Sequence, residues 1–237
     1  MGVENRIAVI TGATGGLGSV VAHRLATDGA NLVLVGSNAD KLDLLSRDLG
    51  LPPERWLSVA ADLSHADAAQ AVLDAALAKF GRVDMLLHFV GGWIGGKPVP
   101  QVSAEELSSM LQQHVWTTFY LAQVFGPHMT ANAWGRIVVV SSPSVAAPPA
   151  KGLPYSVGKS AQEALILTLA EELKGTGVTA NILRVRTIDS NHDRERQPSA
   201  KNASWTTPEE ITAAILYLCS DEAGTVNGAR IPLYGSP

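Results

Sequence analysis

The chain has 237 residues, 46% hydrophobic and 17% charged, with 22 glycines, one cysteine and a formal net charge of −4. At about 150 residues per domain this length suits one large domain, and the aliphatic content excludes intrinsic disorder. With 18 basic against 22 acidic residues there is no basic surface for nucleic acid, the lone Cys219 excludes an internal disulfide, and no Cys/His cluster has metal-site spacing.

In chain order, short β-branched runs at residues 7–10, 32–35, 56–60, 85–90, 137–140, 179–185 and 230–233 read as strands, with helical segments between them. The first helix puts Leu17, Val21 and Leu25 on one stripe, and the region after His65 does the same with Ala68, Val72, Ala75 and Ala76. This rhythm predicts right-handed crossovers and a doubly wound, Rossmann-like parallel sheet of about seven strands, in one domain over residues 1–237. Cys219 falls in the apolar run Ile215-Leu216-Tyr217-Leu218-Cys219 and reads as a buried small hydrophobe. No apolar run approaches the ~18 residues of a membrane span and no leader pattern opens the chain, so a soluble cytoplasmic protein with no membrane partner is expected.

Two irregular stretches interrupt the rhythm: residues 91–101, rich in glycine and proline, and the polar residues 189–207. They follow the fourth and sixth strands, where the ligand crevice of an open α/β sheet lies, so both are candidate substrate loops. A merely solvated surface loop is the alternative for 189–207.

After the first strand stands Thr11-Gly12-Ala13-Thr14-Gly15-Gly16-Leu17-Gly18. Glycines at this place serve a tight turn, close backbone approach to a pyrophosphate and helix-to-sheet packing, with the phosphates at a helix N-terminus. Gly12, Thr14, Gly15, Gly16, Leu17 and Gly18 are therefore candidates to bind NAD or NADP. The second strand ends in Gly36-Ser37-Asn38 without the acidic residue that bonds the 2′-hydroxyl of NAD. Ser37 and Asn38 offer hydrogen-bond donors, which leans slightly to NADP although no basic residue is adjacent. Asp62 and Leu63, after the third strand, are candidates for the adenine end; a helix cap is the other role open to Asp62.

Tyr155 lies 13 positions beyond Ser142, and Lys159 follows Tyr155 by one helical turn on the same helix face. A tyrosine needs a neighbouring cation to act as acid or base near neutrality, which Lys159 supplies, and Ser142 can hydrogen-bond a substrate oxygen. Taken singly, the three read as a packing residue, a surface charge and a strand-end turn.

Together with the glycine turn they give the chain a resemblance to the short-chain dehydrogenase/reductase family over nearly its whole length. The matching pieces are residues 11–18, Asp62-Leu63, Phe80-Gly81-Arg82-Val83-Asp84, Gly135-Arg136-Ile137-Val138, Ser142 with Tyr155-Ser156-Val157-Gly158-Lys159, and Asn181. The resemblance implies interconversion of a carbonyl and an alcohol by hydride transfer: Tyr155 as proton donor or acceptor, Ser142 orienting the carbonyl, Lys159 on the nicotinamide ribose. It also implies pairing into a homodimer or homotetramer through helices around residues 103–125 and 153–173, where Leu165, Leu169 and Leu173 form an apolar stripe.

The chain departs from the family's pattern at several places. His88-Phe89-Val90-Gly91 replaces the usual Asn-Asn-Ala-Gly, leaving Val90 and Gly91 as cofactor contacts, and His114 takes the place of the relay asparagine. Imidazole both donates and accepts, so His114 is carried as a catalytic candidate beside a plain packing role. Val185-Arg186 stands for the usual Pro-Gly, with Ile188 and Ser190 where contacts to the carboxamide or pyrophosphate are expected, and Leu233-Tyr234-Gly235-Ser236 departs from the usual ending.

The loop Val90-Gly91-Gly92-Trp93-Ile94-Gly95-Gly96, Val115-Trp116-Thr117 and Ala203-Ser204-Trp205-Thr206 are similar to segments of the quinonoid dihydropteridine reductases. Trp93 and Trp205 are therefore candidate walls of a substrate site, with closing a loop onto the core as the other role open to each, and reduction of a quinonoid dihydropterin or similar ring is the alternative reaction. A non-catalytic dinucleotide sensor is the alternative of another class, kept open by His88, His114, Val185 and Arg186.

Overall fold

The computed structural model describes residues 2–235; Met1, Ser236 of the closing segment and Pro237 lie outside the described residues. Seven strands, β1 (Ile7–Thr11), β2 (Asn31–Gly36), β3 (Trp56–Ala60), β4 (Met85–His88), β5 (Gly135–Ser141), β6 (Val178–Val185) and β7 (Arg230–Leu233), form one sheet in the order β3-β2-β1-β4-β5-β6-β7. Every neighbouring pair is parallel. The helices are α1 (Gly16–Thr27), α2 (Ala39–Asp48), α3 (Ala66–Phe80), α4 (Ala104–Leu111), α5 (Thr117–Ala131), α6 (Leu153–Glu172), α7 (Asp193–Arg196) and α8 (Pro208–Cys219).

The strands are apolar on both faces because helices cover both. Ala8 and Ile10 of β1 face a core with Leu17, Val21 and Leu25 of α1 and Ile211, Ile215 and Leu218 of α8. Ile7 and Val9, one pleat out of phase, face Val72 of α3, Leu121 and Phe125 of α5 and Ile166 of α6. The chain winds outward from β1 in both directions, to β2 on one side and β4 on the other, so the switch point lies between β1 and β4. The crevice beyond the carboxyl ends of those strands is where such a fold binds ligands.

Three local expectations change. β4 stops at His88, two residues short, because the backbone turns away through Gly91 after Phe89 N–H donates to Thr11 O. The buried stripe of α3 is Ala69, Val72, Leu73 and Ala76, with Ala68 and Ala75 at its half-buried margin. Residues 189–207 are built rather than merely solvated: the buried Asp189 carboxylate accepts from the Asp193 and Arg194 amides, and Asn202 donates to Asp193 O and Gln197 O. Cys219 is buried as expected, and burial pushes its thiol up to about 12. Among the described residues no helix is long and apolar enough to cross a membrane.

Candidate active site

The glycine turn is shaped by places where no side chain fits. Gly12 sits at φ +70°, and a Cβ there would lie 3.1 Å from the Phe89 carbonyl carbon. A Cβ on Gly18 would run into the Gly12 carbonyl oxygen, so α1 approaches the turn at backbone distance. Gly15 is the N-cap of α1, and the first turn carries no acidic residue, which leaves the amide N–H groups and positive helix end open to an anion. Ser190 Oγ packs on Gly16, bringing the segment after β6 to the same turn.

From this turn a cavity of about 420 Å³ runs past Val90, Gly91 and Ile188 to Tyr155 and Lys159. A second cavity of about 350 Å³ adjoins it, lined by Thr14, Gly36, Ser37, Asp62 and Leu63. Asp62 accepts from Ser64 N–H at 3.0 Å, which holds its carboxyl below the usual range, while the N-cap position of α3 belongs to His65. Asn38 caps α2, its side-chain oxygen accepting from Lys41 N–H at 2.9 Å, which leaves only its amide N–H free for a ligand.

The other half of the cleft rests on α6. Lys159 is buried, and its Nζ donates to Val140 O at 2.7 Å and to Gln162 Oε1 at 2.9 Å; burial brings it down to about 7. Burial raises the Tyr155 phenol above its ordinary value, and its hydrogen bond with the Ser142 hydroxyl works the other way. Ser142 follows β5 directly, is buried, and also accepts from Ser144 N–H at 3.2 Å. The serine, tyrosine and lysine thus meet as the spacing predicts.

His114 joins them from a π-helical turn, Gln112–Trp116, set between α4 and α5. Such turns recur at functional sites. Its ring stands edge-on to Tyr155 with centroids 5.5 Å apart, and its Nε2 donates to Gly92 O at 3.0 Å. Burial, with the nearby Lys159 charge, holds it at about 3, so the ring is neutral. A neutral imidazole that donates through Nε2 has an acceptor at Nδ1, and that atom is buried without a partner. Glycines make room for the ring: a Cβ on Gly91 would overlap it, and one on Gly158 would lie 3.1 Å from Cδ2.

Behind these groups lies a set of buried polar side chains that sequence reasoning missed. Gln162 Nε2 donates to Thr118 Oγ1 at 2.9 Å, and Thr118 donates to His114 O at 2.6 Å, so Lys159 is tied to the π-helical turn. Glu163 accepts from Ser141 Oγ at 2.7 Å, from Arg184 at 2.9 and 2.7 Å and from Arg230 at 3.0 Å. The available signal was their position three and four residues after Lys159, on its own helix face. His88 bridges Thr11 through Nδ1 at 2.7 Å and Thr117 through Nε2 at 3.3 Å. Thr117 gives its one hydrogen to Gln113 O, so His88 donates from Nε2 and accepts from Thr11. Trp93 lines the cleft at 65% exposure; Trp205 is half-buried, is not among the cleft's lining residues, and its carbonyl accepts from Arg194 at 2.6 Å.

The profile of the short chain dehydrogenase family matches residues 6–201. A D-threitol dehydrogenase of Mycolicibacterium smegmatis is 29% identical, over 98% of this chain and 93% of its own length. A 1,6-dihydroxycyclohexa-2,4-diene-1-carboxylate dehydrogenase of Pseudomonas putida is 30% identical, over 98% and 92%. Among solved structures, a short-chain type dehydrogenase/reductase from Mycobacterium ulcerans superposes with a TM-score of 0.89 at 25% identity, covering 100% of this chain and 93% of that one.

Proposed function

The chain belongs to the short-chain dehydrogenase family and is an NAD(P)-dependent oxidoreductase of the carbonyl–alcohol type, and from that premise we propose that Tyr155 is its general acid/base, assisted by Ser142, Lys159 and His114. The observation that carries this is the half-buried Tyr155 phenol in the wall of the cleft, its acidity influenced by the Ser142 hydroxyl, one helical turn from the buried Lys159. Bound along the cleft, the nicotinamide dinucleotide supplies or accepts the hydride. The glycine turn fits it: Gly12 and Gly18 allow backbone approach, the α1 N-terminus takes the pyrophosphate, and Ser190 closes over Gly16.

In reduction, Ser142 holds the substrate oxygen and the Tyr155 hydroxyl gives it a proton; in oxidation the phenolate takes one. Two acceptors hold Lys159, Val140 O and Gln162, leaving its third N–H for the ribose and the phenolate. His114 offers Nδ1 as an acceptor beside the Tyr155 ring, a place for an ordered water or a proton in transit. A phenol raised by burial stays protonated through neutral pH, so reduction should hold level there while oxidation climbs toward alkaline pH. Rate profiles in both directions check this.

The cofactor reading leans to NADP, because no carboxylate ends β2 and Ser37 together with the Asn38 amide N–H can donate to a 2′-phosphate; without a cation there, the two cofactors should differ by less than about tenfold in Kd. The whole chain acts as one cofactor-binding domain with substrate loops at about 91–101 and 189–207. Leu165 and Leu169 of α6 line an open groove with Phe119 of α5, supporting a homodimer or homotetramer that sedimentation would reveal. A small-molecule carbonyl substrate and a cytoplasmic setting complete the reading, the latter supported by the buried unpaired cysteine. The decisive experiment is turnover of ketones with NADH and NADPH by the protein and by Tyr155→Phe. Undiminished rates in the variant would refute the assignment.

A further inference from the structure

Arg186 is the one arginine among the described residues that line the cleft. β5 and β6 pair with Ser141 opposite Arg184, so Arg186, two residues on, leaves the sheet beside Ser142 and Pro143. Arg184 points to the α6 face, where Glu163 holds it, and the period-2 alternation carries Arg186 to the same face one pleat further out. Tyr155 lies eight residues before Glu163 on α6, about two turns higher on that face, and Tyr155 and Arg186 both line the cleft.

The charges around it are already matched. Arg184 and Arg230 share Glu163, and Arg194 is held by Glu210. Arg186 is exposed, has no hydrogen-bond or ion-pair partner among the described residues, and no Asp or Glu lines the cavity it faces. Its neighbour across the sheet is the end of β5 with Ser142, and Tyr155 shares the cavity wall with it, whereas Ser190, four residues further on, is the residue that packs on the glycine turn.

We propose that Arg186 is a substrate-binding residue that selects a carboxylate-bearing carbonyl or alcohol compound. This rests on the reading that Tyr155 marks the reacting oxygen. The carbonyl sits at Tyr155 and Ser142, the apolar body of the molecule lies toward the exposed Trp93 ring, and its carboxylate meets the guanidinium fork. A guanidinium binds a carboxylate through two parallel N–H bonds, which fixes orientation as well as charge.

The test uses 3- and 4-oxocyclohexanecarboxylate beside their methyl esters, with NADH and NADPH each supplied. Turnover is read together with equilibrium binding to the cofactor-loaded protein, so the answer does not depend on finding the best substrate. The acids should be preferred over their esters by roughly 10- to 100-fold, the range for a charge-assisted bond. In Arg186→Met the ratio should fall to about one, in Arg186→Lys to a value between, with cofactor Kd unchanged in both. An acid-to-ester ratio near one in the unaltered protein, or a ratio that survives Arg186→Met, overturns the proposal. So does a variant whose only defect is cofactor affinity, which would assign Arg186 to the pyrophosphate. Tyr155-dependent turnover of the esters would leave the reaction assignment standing in each of those cases, and its absence on every carbonyl would fail that assignment instead.

Discussion

The two ends of the cleft are built by different means. At the β1–α1 end the surface is main chain: Gly12 and Gly18 touch so closely that side chains are excluded, and α1 presents unpaired amides. At the α6 end the surface is side chain, backed by buried polar groups bonded to one another within α6 and across to α5 and β5. A backbone surface recognises what all dinucleotides share, whereas a surface of interlocked side chains can hold protons at defined atoms. The first end should therefore fail through shape and the second through chemistry.

The largest effect should come from separating those failures. Tyr155→Phe removes the hydroxyl beside Ser142 and should lower kcat by roughly 10²- to 10⁴-fold, the usual worth of a positioned acid/base, with cofactor Kd unchanged. Gly18→Val drives a side chain into the Gly12 carbonyl and should lose cofactor binding first. Titration of cofactor fluorescence with each variant reads both. If Tyr155→Phe weakened the cofactor as much as Gly18→Val does, the division would collapse.

Next in size is the support beneath the chemical end. The Glu163 carboxylate is buried and holds Ser141, Arg184 and Arg230 with four hydrogen bonds. Glu163→Ala leaves two guanidinium groups facing each other and should cost about 3–5 kcal/mol of stability, the usual result of removing one partner of a buried ion pair. Denaturant unfolding measures it. A loss below about 1 kcal/mol would place the cluster with solvent-exposed pairs instead.

The same division governs what could be read in advance. The strand rhythm and glycine turn are local signals, and they placed all seven strands with errors of only one or two residues, as at β4, with the glycine turn between β1 and α1. Tyr155 and Lys159 were legible because one helix carries both. Gln162 and Glu163 share that helix, but their partners Thr118, Arg184 and Arg230 come from α5, β6 and β7, so nothing local marks them as buried. The π-helical turn was invisible, since its sequence continues a helical pattern without a break. Trp205 shows the converse: its segment resembled a substrate wall, yet its backbone serves to anchor Arg194.

A smaller effect tests whether Gln162 tunes Lys159. Its Oε1 accepts from the ammonium in a buried setting that already brings the lysine down to about 7. Gln162→Leu withdraws that acceptor, so the charged form is less favoured and the lysine falls further. The pH at which cofactor affinity weakens as Lys159 loses its proton should move down by about one unit, equivalent to about 1.4 kcal/mol, while Gln162→Glu should move it up. A plain packing role would weaken the cofactor equally at every pH.

The smallest effect at neutral pH concerns the brace that joins the two ends. His88 ties Thr11, the last residue of β1, to Thr117 at the start of α5, and burial holds its imidazole at about 3 against an ordinary value of 6.5. The folded chain keeps this ring neutral while the unfolded chain protonates it below pH 6.5. Its contribution is thus present in full above that pH and is lost as pH falls toward 3. His114 acts in the same direction for the same reason, and the half-exposed His128 less so. Stability of the unaltered protein should begin to fall below about pH 6.5, before the carboxylates titrate. Asparagine can donate to Thr117 and accept from Thr11 without a charge to gain, so His88→Asn should flatten this limb while leaving neutral-pH stability within about 1 kcal/mol. Unfolding midpoints measured from pH 7 to pH 4.5 decide it: an unchanged slope would mean that the joint between the backbone end and the side-chain end is open to water, and that the two ends are less tightly coupled than the bonds of His88 imply.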